Sequence, residues 1–123
     1  MATNIKSVTA YVNYTQFEGD TQLMNMNVGS GGVPADLTSH TAKIDIKIDN
    51  DPATVPLLTL TELDGIVLSN TKPNIVATIT ADQTRDILGV GEYVYDVQVE
   101  DLSGHVDTFF AGDFIIEQSV TQS

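Results

Sequence analysis

Residues 41–49 read Thr-Ala-Lys-Ile-Asp-Ile-Lys-Ile-Asp. Apolar Ala42, Ile44, Ile46 and Ile48 alternate with charged Lys43, Asp45, Lys47 and Asp49. Successive side chains on a strand point to opposite faces, so the stretch reads as a β-strand with one dry and one wet face. No helix could segregate these residues, because a period of two scatters them around a 3.6-residue turn.

The same alternation recurs on both sides. Tyr93, Tyr95, Val97 and Val99 alternate with Val94, Asp96, Gln98 and Glu100. Val8, Ala10, Val12 and Tyr14 alternate with Thr9, Tyr11, Asn13 and Thr15, which predicts one continuous strand there. Met24, Met26 and Val28, then Ile75, Ala77 and Ile79, form shorter runs. The β-branched and aromatic residues of these runs suit a pleated, half-buried surface. Tyr93, Tyr95, Phe110 and Phe114 are expected in the core.

Turn chemistry divides the runs. Glu18-Gly19-Asp20 ends the first, and residues 29–34 (Gly-Ser-Gly-Gly-Val-Pro) read as a flexible connection. Asn50-Asp51-Pro52 ends the Ile-rich strand. Asp64-Gly65 predicts a hairpin between 57–63 and 66–68. Asp101-Leu102-Ser103-Gly104 predicts a second hairpin, with Gly104 left-handed. Gly112, inside the last run, signals a bulge or a close backbone approach. A single helical segment is expected, Ala81 to Leu88, with Thr80 and Gln83 as a capping box and Gly89 as its stop. The reading is an all-β chain of seven to nine strands, folded as an antiparallel two-sheet sandwich with one short crossover helix. A closed barrel is the alternative.

The chain has 123 residues, the size of one domain, and no cysteine. It carries 5 Lys and Arg against 17 Asp and Glu, a net charge of −12. That field repels phosphate backbones and anionic membranes, and favours basic surfaces or divalent cations. Neither nucleic acid nor membrane is expected as a partner. Residues 1–10 lack the apolar core of a signal peptide. The sequon Asn13-Tyr14-Thr15 reads as chance.

Catalytic chemistry has little to stand on. The histidines are His40 and His105. Ser39-His40 and Ser103-Gly104-His105-Val106-Asp107 hold triad residue types without a nucleophile elbow. No carboxylate pair stands out as a glycosidase acid and base. The expectation is that the chain is not an enzyme and needs no cofactor. Asp49 and Asp51, on the Asp49-Asn50-Asp51 turn, are the candidate metal ligands, of the oxygen type that calcium takes, although Pro52 and Ala53 break the EF-hand spacing. Neither Gly29-x-Gly31-Gly32 nor Gly89-x-Gly91 has the context of a nucleotide-binding loop.

Several stretches, taken in order, carry a resemblance. Residues 33–38 (Val-Pro-Ala-Asp-Leu-Thr) precede the strand 41–49, and Asp64-Gly65-Ile66 follows. Ile79-Thr80-Ala81-Asp82-Gln83-Thr84 leads to Gly91-Glu92-Tyr93-Val94-Tyr95-Asp96, and Gly112-Asp113-Phe114-Ile115-Ile116 closes the set. From Phe17 to Thr121 the chain resembles the small Ig-like β-sandwich domains of tailed-phage virion proteins, above all the N-terminal domain of baseplate upper proteins and related tail and head accessory domains. Where that pattern has Gly after Asp-Leu-Thr and Arg at the end of the next strand, Ser39 and Asp49 stand here.

The resemblance implies a non-enzymatic component of a bacteriophage virion, made in the host cytoplasm. Its partners would be capsid, tail or baseplate proteins, in a homo-oligomer. Capsid decoration is the leading expectation and a tail or baseplate adaptor the next. Contacts are expected at edge strands and at the polar ends, residues 1–4 and 118–123. A glycan-binding or calcium-dependent module for the host surface is the alternative.

Overall fold

A computed structural model describes residues 9–120. It is built almost entirely of strands: β1 (Ala10–Tyr11), β2 (Tyr14–Phe17), β3 (Gln22–Met26), β4 (Gly29–Ser30), β5 (Val33–Pro34), β6 (Thr41–Lys47), β7 (Leu58–Thr61), β8 (Ile66–Leu68), β9 (Ile75–Ile79), β10 (Gly91–Glu100) and β11 (Val106–Glu117). A six-stranded sheet runs β11-β10-β6-β7, with β1 and β2 placed one after the other along the outer edge of β11. A three-stranded sheet runs β3-β9-β8, and β4 pairs with β5. The large and small sheets pack over one core, in which Ile44, Ile46, Leu60, Val97 and Phe114 meet Met24, Ile66, Ile75 and Ile79. This is the expected sandwich. It is not purely antiparallel, because β1 and β2 both run parallel to β11.

The period-two reading of residues 41–49 holds through Lys47. Ala42, Ile44 and Ile46 are buried, whereas Ile48 is 59% exposed because β6 has ended before it. Tyr93, Tyr95, Val97, Val99, Phe110 and Phe114 are all core residues. The hairpin at residues 101–104 forms with Gly104 at φ +86°. Asp101 organises it, its Oδ1 accepting from the backbone N–H groups of Ser103 (2.9 Å) and His105 (3.0 Å).

The helix also forms where the sequence placed it, across residues 81–88. Thr80 N–H donates to Gln83 Oε1 (2.8 Å), and Gln83 N–H donates to Thr80 Oγ1 (3.2 Å), a complete capping box. Its last turn widens to i→i+5 bonding, since Gly89 N–H donates to Thr84 O (3.0 Å). The helix carries the chain from β9 in the small sheet to β10 in the large one.

Four expectations are corrected. Asp64-Gly65 is not a hairpin between paired strands: β7 is the edge of the large sheet and β8 an edge of the small one. The tight turn is present, with Thr61 and Asp64 exchanging backbone hydrogen bonds, but the chain leaves it into the other layer. The local Asp-Gly signal specifies the turn and says nothing about which sheet buries Ile66. Secondly, residues 29–34 are not a flexible connection. Gly31 (φ +59°) and Gly32 (φ +80°) make a tight turn between β4 and β5. A side chain on Gly29 would stand 2.1 Å from Val33 O.

Thirdly, the expected strand over residues 8–15 is broken into β1 and β2, and Val8 lies outside the described residues. Gly112 is the cause. The backbone of Val12 crosses so close that a Cβ on Gly112 would lie 2.1 Å from Val12 O. Asn13 Oδ1 accepts from Asp113 N–H (2.9 Å), and Tyr95 OH donates to Val12 O (2.6 Å), so hydrogen bonds brace the break. Gly112 therefore marks a close approach. The bulge falls at Phe109, between the pairs Val97–Phe110 and Gln98–Thr108. Lastly, the eleven strands among the described residues exceed the expected seven to nine, because of this break and the β4–β5 hairpin.

The small sheet is pinned by buried polar side chains. Asn74 is fully buried; its Oδ1 accepts from Val28 N–H (2.9 Å) and its Nδ2 donates to Val28 O (2.7 Å) and Ala35 O (2.9 Å). It thereby ties the base of the β4–β5 hairpin to β9. Thr84, also fully buried, accepts from Gly19 N–H (3.0 Å) and donates to Asp20 O (2.9 Å), so the helix holds the turn before β3. Asn74 satisfies backbone groups that would otherwise be costly to bury, and Thr84 ties the turn at Gly19 and Asp20 to the helix.

Candidate functional site

The large sheet has one face on the core and the other open. On the open face the register sets Thr59, Asp45, Asp96 and Ala111 side by side across β7, β6, β10 and β11, with Tyr11 of β1 completing the row. Lys47, Val94 and Asp113 form the row on one side, and Thr61, Lys43 and Gln98 the row on the other. Together they shape an open concavity of about 530 Å³, lined by Tyr11, Lys43, Asp45, Lys47, Asp96 and Gln98.

Asp45 and Asp96 are directly opposite on adjacent strands, an arrangement that disfavours two negative charges. Asp45 is satisfied: it accepts from Thr59 Oγ1 (2.7 Å) and lies 3.6 Å from Lys43 Nζ. Asp96 is partly buried, and this desolvation, followed by the charge of Asp45, raises its pKa above the ordinary carboxylate value; Lys47 and Lys43 oppose the rise. A carboxylate in this setting gains from any cationic group brought over it. The alternation in sequence marks Asp45 and Asp96 as wet-face residues, but only the pairing of β6 with β10 brings them together.

The candidate metal ligands do other work. Asp49 Oδ1 accepts from Thr54 Oγ1 (2.6 Å) and from Asp51 N–H (3.1 Å), and Asp51 Oδ1 accepts from Ala53 N–H (2.9 Å). Those bonds lower the pKa of Asp49, that to Thr54 first. Both carboxylates brace their own turn at the rim of the concavity. Among the described residues, no three His, Asp or Glu side chains gather closely enough to hold a metal ion.

The triad residue types are not assembled into a relay. Ser103 Oγ donates to Asp101 Oδ1 (2.7 Å), while His105 Nε2 lies 3.3 Å from Asp107 at the exposed end of β11. His40 belongs to the loop before β6, its backbone N–H bonded to Leu37 O (3.0 Å). No helix among the described residues is long and apolar enough to cross a membrane.

The class defined by this fold and surface is an all-β sandwich domain with an open, charge-laddered sheet face. No family model matches the chain, and no curated protein does. Among solved structures it is similar to CopC from Methylosinus trichosporium OB3b, with 19% identity and a TM-score of 0.43 over 95% of this chain and 91% of that one. A likeness of that size bears on neither ligand nor role.

Proposed function

We propose that the chain is a non-enzymatic structural component of a tailed-phage virion, binding neighbouring virion proteins, with capsid decoration the leading role and a tail or baseplate adaptor the other. The observation that carries this reading is the open face of the six-stranded sheet. It offers an open concavity in which two carboxylates, Asp45 and Asp96, face each other across β6 and β10, an arrangement that a partner's basic group would relieve. The net charge of −12 favours basic partner surfaces in the same way. The virion setting comes from the resemblance of the motif order to phage β-sandwich domains.

Quantitative mass spectrometry of purified phage particles, scaled to the major capsid protein, tests it. Hundreds of copies per particle are expected for decoration, and a few to some dozens for a tail, collar or baseplate part. Absence from the particle overturns the virion reading.

A further inference from the structure

The small sheet has an outer face of the opposite character. Asn25, Val76 and Val67 stand in one row across β3, β9 and β8, and Leu23 and Thr78 in the next. Leu23 is 53% exposed and Val67 65%. No residue of β3, β8 or β9 is ionisable, in a chain that carries 22 Lys, Arg, Asp and Glu residues. The nearest charges along the chain, Asp20, Asp64, Lys72 and Asp82, stand beyond the strand ends. Both outer strands of this sheet also lack the lysines, prolines and inward charges by which exposed strands are ordinarily guarded.

We propose that this face is a self-association surface, on which the occupant is the same face of a second copy of this chain. Electrostatics selects that occupant. A basic partner finds no carboxylate on these strands and is drawn to the opposite side of the sandwich, where Asp45 and Asp96 lie. A neutral face fits another neutral face, as interface cores are depleted of charge, and a two-fold pairing supplies one automatically. Contact through it also sets the charged sheets of two highly negative copies outermost. Each charged face is then a full sandwich thickness from the contact, beyond the ~8 Å over which physiological salt leaves charges coupled. The face is small: strands of up to five residues reach about 17 Å, and three strands about 4.8 Å apart span about 14 Å, so it offers roughly 240 Å² against the roughly 800 Å² per partner of a standard stable complex. Association is therefore weak in dilute solution and effective at high local concentration. The proposal stands whether or not the chain belongs to a virion.

Sedimentation equilibrium between about 10 μM and about 1 mM tests it. The weight-average mass is expected to rise from the 13.2 kDa monomer toward twice that value, and to rise further on going from about 0.05 M to about 0.5 M salt, as screening relieves repulsion between copies. The double variant Leu23→Glu, Val67→Glu should associate at least tenfold more weakly while its melting temperature stays within about 4 °C of wild type. Mixing it with Leu23→Lys, Val67→Lys should restore association. A wild-type chain that stays monomeric at the highest concentration, or a double-Glu variant that associates like wild type, overturns the proposal. So does a rescue that fails when each variant alone is folded and monomeric.

Discussion

The two sheets of this sandwich solve the same problem differently. The large sheet is centred on three long strands, β6, β10 and β11, and β10 and β11 pair over nearly their whole lengths, so backbone bonds and apolar packing hold it. Its outer face can then carry a ladder of lysines and carboxylates. The small sheet has strands of three to five residues. Its ends are fastened by Asn74 and Thr84, and its outer face has no charge at all. The difference leads to the expectation that the short sheet leans on its buried polar side chains more than the long one does.

Removing the staples is the most direct way to break that comparison. Asn74→Ala leaves Val28 N–H and Ala35 O without their Asn74 partner, while Val28 O keeps the bond from Ala35 N–H (2.8 Å). A loss of roughly 3 kcal/mol is expected in urea unfolding, from penalties of about 1–3 kcal/mol for each unsatisfied group, partly relieved by water. Gly112→Ala should come next, because its Cβ cannot coexist with Val12 O. About 2 kcal/mol is expected, with hydrogen exchange accelerating across residues 10–17 while the small sheet stays protected. Thr84→Val keeps the shape and removes the bonds to Gly19 and Asp20, for a loss of about 1–2 kcal/mol. If Thr84→Val costs nothing, the small sheet does not depend on its staples and the contrast fails.

The charged face responds in the other direction. Asp96→Asn should stabilise the protein at neutral pH, by roughly 0.2–1 kcal/mol, since it removes a like charge set against Asp45. Asp96 has a folded pKa above its unfolded one, so the folded state holds this proton more tightly. Its contribution to stability is greatest below the unfolded value and is lost as pH rises through the folded one. The advantage of Asp96→Asn should therefore be largest near neutrality and vanish in acid. Thermal melts of both proteins across that range check it, and a gap that widens on acidification would sink the assignment. Asp49, Asp36 and Asp101 run the opposite way. Hydrogen bonds within their turns lower their pKa values, so their stabilisation is present above the unfolded carboxylate value and lost as pH falls through the folded ones. The smallest effect, within about 0.5 kcal/mol, is expected for Leu23→Glu with Val67→Glu, both exposed, despite the loss of self-association.

Local chemistry made much of this legible from the amino acids. Alternation along residues 93–99 is an inescapable consequence of strand geometry, and so Tyr93, Tyr95, Val97 and Val99 could be placed in the core before any partner strand was known. The Thr80–Gln83 capping box and the left-handed Gly104 depend on atoms a few residues apart, and both formed as read. Asp64-Gly65 shows where such reasoning stops: its turn is local, but the layer that the next strand joins is a matter of which apolar face buries Ile66. The break at Val12 and Asn13 depends on Gly112, a hundred residues away, and no pattern inside 8–15 announces it. The juxtaposition of Asp45 with Asp96, and the neutral face built from Leu23, Val67 and Val76, follow from strand order and register. Periodicity records only that a residue faces away from the core. Long-range packing selects its neighbours, and on this molecule the neighbours make the charged face and the neutral one.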